Sequence, residues 1–205
     1  MLHKCGFKSK KKTAKTTTGG KVCGWKLGRV SSYCHTAFKG KRRYWMEVVG
    51  KSCIQTYLGK YGRRDSVISH YGGIVVSAKL KIVYTQRSSN YIGIMIGNAW
   101  TQRTGRRRNY IEFMYNRNNR FVLRQWRYGR SQTHQTGRFV PKPGKKGKVV
   151  HLKLQYQRGT VLAWLNGFLA GRASTRLESR NQVGIVGDDF GTQLELRGIT
   201  IRKAK

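Results

Sequence analysis

Acidic residues are scarce in this sequence of 205 residues. Seven aspartates and glutamates face 43 lysines and arginines, which gives a formal net charge of +36. A small soluble domain usually carries a net charge of about 2–8 in magnitude, and repulsion within so basic a compact chain opposes folding unless a polyanion neutralises it. Basic residues recur from Lys4 to Lys205, so one charged tail does not explain the excess. The composition therefore predicts a partner that carries many phosphate or sulfate groups.

Long apolar runs are also missing. No stretch of about 18 apolar residues occurs, so we expect no transmembrane helix and no membrane partner. Residues 1–5 lack the apolar core of a secretory signal. On these grounds we expect a protein that is not secreted and that works in the cytoplasm, associated with ribosomes, or in an organellar matrix.

Catalytic signatures are absent as well. The sequence contains no glycine-rich nucleotide loop, no nucleophile elbow and no zinc-protease motif. The histidines His35, His70, His134 and His151 are scattered, and none has a partner at motif spacing. We therefore expect a protein that is not an enzyme, needs no cofactor and binds no metal.

Cysteine is rare, and its spacing is irregular. Cys5, Cys23, Cys34 and Cys53 all lie in the first quarter of the chain. Zinc sites usually pair ligands two to four residues apart, and no two of these cysteines are so spaced. The pattern favours reduced, partly buried thiols, while a zinc site shared with histidine and a pair of disulfides are the alternatives.

The chain nevertheless contains enough apolar material to fold, with 38% hydrophobic and 11% aromatic residues. Short apolar runs, several alternating with polar residues, predict strands at residues 76–84, 91–96, 109–115, 121–126, 149–156, 160–165, 183–186, 193–196 and 199–201. Turn-forming residues at 116–119 and 157–159 connect two pairs of them. We predict an all-β antiparallel sandwich, or jelly roll, over residues 22–205, preceded by a basic extended tail at 1–21.

Four segments of the second half occur in an order that is typical of one superfamily. They are residues 91–96, the strand Asn109-Tyr110-Ile111-Glu112-Phe113, the hairpin 149–171 with Leu165-Asn166-Gly167, and the closing strands 183–186 and 194–201. Over residues 74–202 the chain resembles the concanavalin A-like lectin/glucanase superfamily, especially laminin-G-like domains and the sandwich domain of the 3-keto-disaccharide hydrolase family. The resemblance implies a sandwich fold.

The same resemblance argues against hydrolysis. Glucanases of the superfamily carry a cluster of acidic residues on one strand, which act as nucleophile and general acid. In this chain Glu112 stands alone on its strand, and only Asp188 and Asp189 are adjacent. Lectin-like or hydrolase-like activity is therefore not the first expectation.

Basic residues cluster in the tail, around residue 41, between residues 103 and 130, and in a loop near residue 144. The third cluster has nine arginines and no lysine, and arginine pairs bidentately with phosphate and stacks on bases. Its neighbours Trp126 and Tyr128 add aromatic rings of the kind that looped RNA stacks on. The residues predicted to contact nucleic acid are Lys8, Lys10, Lys11, Lys12, Lys15, Lys41, Arg42, Arg43, Arg103, Arg106, Arg107, Arg108, Arg117, Arg120, Arg124, Lys142, Lys145 and Lys146.

Taken alone, the sequence favours a structural RNA-binding protein of a ribosome or another large ribonucleoprotein. Its partners would be ribosomal or other structured RNA and neighbouring proteins of that complex. A sandwich offers no recognition helix for the major groove of DNA, which favours RNA. Two alternatives remain open at this point: a viral capsid or core protein that packages nucleic acid, and a lectin-like binder of sulfated glycans.

Overall fold

The computed structural model describes residues 3–5, 21–22, 25–26, 28–31, 33–38, 43–56, 72–98, 109–139, 149–177 and 182–204. All regular secondary structure in these residues is β-strand, and none of them forms a helix long and apolar enough to cross a lipid bilayer. In chain order the strands are β1 (His3–Cys5), β2 (Lys21–Val22), β3 (Trp25–Lys26), β4 (Gly28–Ser31), β5 (Cys34–Phe38), β6 (Tyr44–Val48), β7 (Ser52–Thr56), β8 (Gly73–Tyr84), β9 (Ile92–Asn98), β10 (Asn109–Tyr115), β11 (Arg120–Arg127), β12 (Arg130–Arg138), β13 (Val150–Gln157), β14 (Thr160–Leu165), β15 (Phe168–Ser174), β16 (Gln182–Asp188) and β17 (Gln193–Lys203).

The strands form two antiparallel sheets that pack face to face. The larger sheet has nine strands in the order β15-β14-β13-β8-β17-β6-β5-β4, with β1 paired along β17. The smaller sheet has six strands in the order β12-β11-β10-β9-β16-β7, and β2 pairs with β3 separately. The predicted all-β antiparallel sandwich is therefore confirmed. Within the segment predicted as an extended tail, residues 3–5 form a strand of the larger sheet.

Alternation along β8 shows how the core is built. Ile74, Val76, Ala78 and Leu80 are at most 1% exposed and point inwards, whereas Lys79 points to solvent. Side chains of a strand alternate between the two faces of its sheet. These apolar residues of β8 therefore face the core, while the polar residues between them face solvent. Each large aliphatic side chain buried in this way stabilises the fold by about 1.5–3 kcal/mol.

The last strand is longer than the sequence suggested. The predicted runs 193–196 and 199–201 belong to one strand, β17, whose register against β8 shifts between Leu196 and Gly198. A β-bulge at this point inserts an extra residue and interrupts the apolar alternation. The two runs therefore looked separate although the backbone pairing continues through them.

A disulfide joins the two sheets near one edge. Cys34 on β5 and Cys53 on β7 are bonded, with their Cα atoms 5.3 Å apart and both side chains buried. The expectation of reduced thiols is wrong for this pair, because β5 and β7 lie at the same edge of the two sheets and bring the cysteines together across the sandwich. The side chains of Cys5 and Cys23 lie outside what the structure describes.

Candidate functional site

A polar cavity of about 590 Å³ lies at one end of the sandwich. Both sheets contribute to it, because the ends of β11, β12, β13 and β15 meet there. Its volume is within the range of small-molecule sites, about 300–1,000 Å³. We call it the arginine pocket, and its lining residues are Gln125, Arg127, Gln132, Tyr156, Arg158, Gly159, Ser174, Thr175 and Arg176.

The charge of the arginine pocket is positive. Arg127, Arg158 and Arg176 line it with exposed side chains, and no lining residue is acidic. Among the described residues, the four ion pairs are made by other arginines, so these three guanidinium groups are not neutralised by any carboxylate in that part of the chain. A planar guanidinium presents a fork of donors that matches a carboxylate, sulfate or phosphate group. The three guanidinium groups are thus able to donate to an anion in the pocket.

Two hairpin turns beside the pocket have unusual residues at positions that require a positive φ. Arg158 and Gly159 have φ values of 48° and 80°, and Tyr128 and Gly129 have φ values of 51° and 81°. Two consecutive residues with positive φ are the pattern of a type I′ turn, which favours Asn-Gly. Arginine and tyrosine adopt this conformation only at a cost of about 1–2 kcal/mol, and such strain concentrates at functional sites.

Hydrogen bonds fix the wall of the pocket. The amide N–H of Thr175 donates to the carbonyl oxygen of Gly159 at 2.7 Å, which ties the Arg158 turn to the end of β15. The side-chain amide of Asn109 donates to the carbonyl oxygen of Arg176 at 3.2 Å, and Gln125 donates to Asn109 Oδ1 at 3.1 Å. Backbone and side chains next to the arginines are therefore held in place before a ligand arrives.

A second polar cluster lies on the outer face of the smaller sheet. Arg124 Nε donates to Glu112 Oε1 at 2.5 Å, and its terminal nitrogen donates to Asp188 Oδ2 at 3.2 Å. Trp126 Nε1 donates to the same Glu112 oxygen at 2.7 Å, and the Arg124 guanidinium lies 5.2 Å from the centre of the Trp126 ring. Glu112, Arg124, Trp126 and Asp188 therefore find hydrogen-bond partners within the protein, and these bonds stabilise this face of the sheet.

Burial dominates the acid–base properties of this cluster. Glu112 is only 1% exposed, and desolvation raises the pKa of its carboxyl to about 7, although the Arg124 charge opposes the shift. Desolvation also raises the pKa of Asp188, again against the pull of Arg124. The Glu112 carboxyl is thus buried and accepts hydrogen bonds from both Arg124 and Trp126.

The structure describes four of the residues predicted to contact nucleic acid, and none of them lies at the arginine pocket. Arg43 pairs with Glu195 at 3.3 Å, and Arg117 donates to the carbonyl oxygen of Val83 at 2.8 Å. Arg120 is exposed at the start of β11, close in sequence to Arg117. Contact of these three with an anion stays a prediction.

Arg124 differs from the other three. Its guanidinium lies between two carboxylates, so its charge is used inside the protein, and the prediction that it contacts a polyanion has no support from its surroundings. The remaining predicted contacts lie outside the described residues: Lys8, Lys10, Lys11, Lys12, Lys15, Lys41, Arg42, Arg103, Arg106, Arg107, Arg108, Lys142, Lys145 and Lys146.

Of the three arginines of the pocket, only Arg127 lay in a predicted basic cluster, the one between residues 103 and 130, and none of the three was among the predicted contact residues. They are separated by up to about fifty residues along the chain and come together only through the pairing of three hairpins. One signal was available for Arg158, because the turn at residues 157–159 was predicted. An arginine in a turn that favours asparagine or glycine is a sign that something other than turn stability selected it.

Solved structures share this fold at very low sequence identity. The carbohydrate-binding module CBM66 from Bacillus subtilis matches with a TM-score of 0.58 at 10% identity, over 87% of this chain and 95% of the module. The carbohydrate recognition domain of Emp46p, in its potassium-bound form, matches with a TM-score of 0.61 at 6% identity, over 89% of each chain. A Bacillus subtilis protein of unknown function with a galectin-like fold matches with a TM-score of 0.59 at 12% identity, over 83% and 86%.

No protein-family model matches the chain, and no curated protein matches it in sequence. The likeness to the solved structures is therefore a likeness of fold. It agrees with the sandwich of the concanavalin A-like lectin/glucanase type that the order of the later strands predicted.

The predicted role in a ribosome or other ribonucleoprotein is wrong, and so are the predicted partners, RNA and the proteins of such a complex. The structures that share the fold are described as carbohydrate-binding or galectin-like domains. The physical reason for the error is that a net charge of +36 predicts a polyanion but does not distinguish phosphates from sulfates or carboxylates.

Proposed function

We propose that this chain is a lectin-like protein that binds an anionic glycan, one bearing sulfate or carboxylate groups, without modifying it. The observation that carries the proposal is the arginine pocket, in which three guanidinium groups line a polar cavity of about 590 Å³. The sharing of the sandwich fold with proteins described as carbohydrate-binding supports a sugar as the body of the ligand.

The pocket offers different contacts to different parts of such a ligand. Arg127, Arg158 and Arg176 would each donate to the oxygens of a sulfate or carboxylate group. The side chains of Gln132 and Ser174 line the same cavity and have the mixed donor and acceptor character that sugar hydroxyl groups require. An anionic sugar satisfies both sets, whereas a neutral sugar would leave the guanidinium groups without a charged partner.

An exposed ring completes the arrangement. The Tyr128 side chain is 57% exposed in the turn that follows Arg127, and the Arg127 guanidinium lies 5.4 Å from the centre of its ring. A flat aromatic surface with a polar tip binds ligands that are apolar on one side and wet on the other. The C–H face of a sugar ring has this character, so we place one sugar unit of the ligand against Tyr128.

The placement of the described carboxylates supports binding without catalysis. Of the acidic side chains that the structure describes, Glu112 and Asp188 are held by Arg124, and Glu195 pairs with Arg43. A glycosidase needs two carboxyl groups that flank the bond to be cleaved. The arginine pocket has no acidic residue in its lining, which supports a binding role.

The disulfide bears on where the protein works. Disulfides persist in oxidising surroundings and are rare in reducing ones. The Cys34–Cys53 bond therefore favours an oxidising compartment or the cell exterior. The location expected from the sequence, in the cytoplasm or an organellar matrix, stays an untested prediction that this bond disfavours.

The proposal is tested by calorimetric titration of the protein at about 0.15 M salt with sulfated, uronate-containing and uncharged oligosaccharides of equal length. We expect the charged sugars to bind. The form that binds more tightly, sulfated or uronate-containing, identifies the charged group of the natural ligand. The Arg158→Gln/Arg176→Gln double variant should weaken binding at least tenfold, because each charge-assisted hydrogen bond contributes about 1.5–3 kcal/mol.

A matched control separates a built pocket from general attraction by a basic surface. Arg87→Gln/Arg138→Gln removes the same two charges from exposed positions that do not line the pocket. If the control weakens binding as much as the pocket variant, or if uncharged sugars bind as well as charged ones, the proposed function is wrong.

A further inference from the structure

A cluster of basic side chains lies on the outer face of the larger sheet, away from the arginine pocket. Its members are Lys79 on β8 with His151 and Lys153 on β13, and we call it the lysine–histidine cluster. Lys79 and His151 are direct cross-strand partners, and both side chains are exposed. Lys153 follows His151 by two residues, so it lies on the same face of the sheet, about 7 Å along the strand.

Lys79 and Lys153 create a positive field around His151. Burial first, and then the charges of the two lysines, lower the pKa of the imidazole. The imidazole is therefore uncharged at neutral pH, and the two ammonium groups carry the charge of the cluster.

The described carboxylates do not neutralise the cluster. Glu195 is the carboxylate on the neighbouring strand, opposite Lys81, and it is engaged by Arg43 and Arg197 at 3.3 and 3.5 Å. Glu47 accepts a hydrogen bond from Gln193 at 3.0 Å. In the part of the chain that the structure describes, the cluster thus has cations without matching anions.

An aromatic ring adjoins the cluster. Trp164 on β14 is the cross-strand partner of Lys153, and the Lys153 ammonium group lies 3.8 Å from the centre of the indole ring. The contact is a cation–π interaction, and it holds the long lysine side chain over the sheet in place of leaving it free in solvent. A held ammonium group loses less conformational entropy when it binds an anion.

We propose that the lysine–histidine cluster is a second binding site for the sulfate or carboxylate groups of the same class of glycan. The inference rests on the proposed function, because the arginine pocket supplies the first site. Arg158 follows Lys153 by five residues, which is about 16 Å of extended chain, so the two sites are separate and take different groups of a ligand. Two sites on one chain allow it to hold a long glycan at two points or to bridge two glycan chains.

The test is the stoichiometry of a short sulfated oligosaccharide, a disaccharide, measured by calorimetric titration on the full chain. We expect two bound per protein in the wild type, one in Lys79→Gln/Lys153→Gln and one in Arg158→Gln/Arg176→Gln. The charge-conserving variant Lys79→Arg/Lys153→Arg should retain two, and the exposed control Arg87→Gln/Arg138→Gln should also retain two. If Lys79→Arg/Lys153→Arg retains two sites, the loss of one site in Lys79→Gln/Lys153→Gln comes from the loss of charge and not from misfolding.

The outcomes are distinguishable. One bound disaccharide in the wild type, lost in the pocket variant and unchanged in the lysine variant, overturns the second site but leaves the proposed function standing. Absence of binding to any charged sugar overturns both. Tighter binding of a single-stranded oligonucleotide of equal charge at the cluster, removed by Lys79→Gln/Lys153→Gln, overturns the choice of a glycan as its ligand.

Discussion

Replacing Arg158 by asparagine should make the protein more stable and a weaker binder at the same time. Arg158 occupies the first central position of a type I′ turn with φ of 48°, followed by Gly159. Asn-Gly is the preferred pair there, and most other residues pay about 1–2 kcal/mol for the left-handed conformation. The free energy of unfolding should therefore rise by about 1 kcal/mol, which corresponds to an increase in Tm of about 2–4 °C for a domain of this size.

Binding should change in the opposite direction. The substitution removes one of the three guanidinium groups that line the arginine pocket. Loss of one charge-assisted hydrogen bond of about 1.5–3 kcal/mol corresponds to a rise in Kd of about ten- to a hundredfold. Arg158→Lys is the control, since it keeps the charge and the turn strain, and it should restore part of the affinity with no gain in stability.

Urea unfolding and calorimetric titration of the same preparations measure the two effects. Stability should rise while affinity falls, whereas general damage to the fold would lower both the free energy of unfolding and the affinity. An asparagine variant that binds a sulfated sugar as tightly as the wild type would refute the role of Arg158 in the pocket. One that is less stable would refute the turn conformation from which the argument starts.

Three further predictions concern stability. Cys34→Ser should lower the free energy of unfolding by about 3 kcal/mol, because the bond closes a loop with a sequence separation of 19, and dithiothreitol should have the same effect on the wild type in urea unfolding. Gly93→Ala should cost about 3 kcal/mol in the same assay, since a Cβ there would meet the carbonyl oxygen of Phe113. Burial raises the pKa of Glu112 from 4.5 to about 7, so between these pH values the folded state keeps a proton that the unfolded state has released. The free energy of unfolding therefore contains a contribution of about 3 kcal/mol from this proton. The contribution is fully present below pH 4.5 and is lost as the pH rises through 7. Glu112→Gln should therefore lose less stability than the wild type between pH 5 and pH 8, and an identical loss would contradict the assignment.

The strands that the sequence predicted well are those that bury at least one apolar face. Residues 109–115 and 160–165 were predicted with the bounds that the structure shows. β12 was missed because it is an edge strand that is exposed along most of its length, so no apolar alternation marks it. Alternation of apolar and polar residues arises from burial of one face of a strand. A strand without a buried face therefore shows no such alternation in the sequence.

The candidate site depended on information that a single sequence does not contain. Arg124 was grouped with its arginine-rich neighbours, but the register of β10 and β11 places it directly opposite Glu112. Arg127, Arg158 and Arg176 were not grouped, although the folded hairpins bring them to one cavity. Total charge predicts a polyanion, but strand register and long-range pairing decide which cations remain available to an anion.

The account depends most on where an anionic sugar binds, and mapping of backbone amide shifts by NMR tests this directly. On addition of a sulfated disaccharide at about 0.15 M salt, we predict the largest shifts at Arg127, Gly159, Ser174 and Arg176, with saturation. Shifts confined to the exposed turn at residues 116–119, or a weak drift spread over all basic segments, would contradict the claim that the arginine pocket is the binding site.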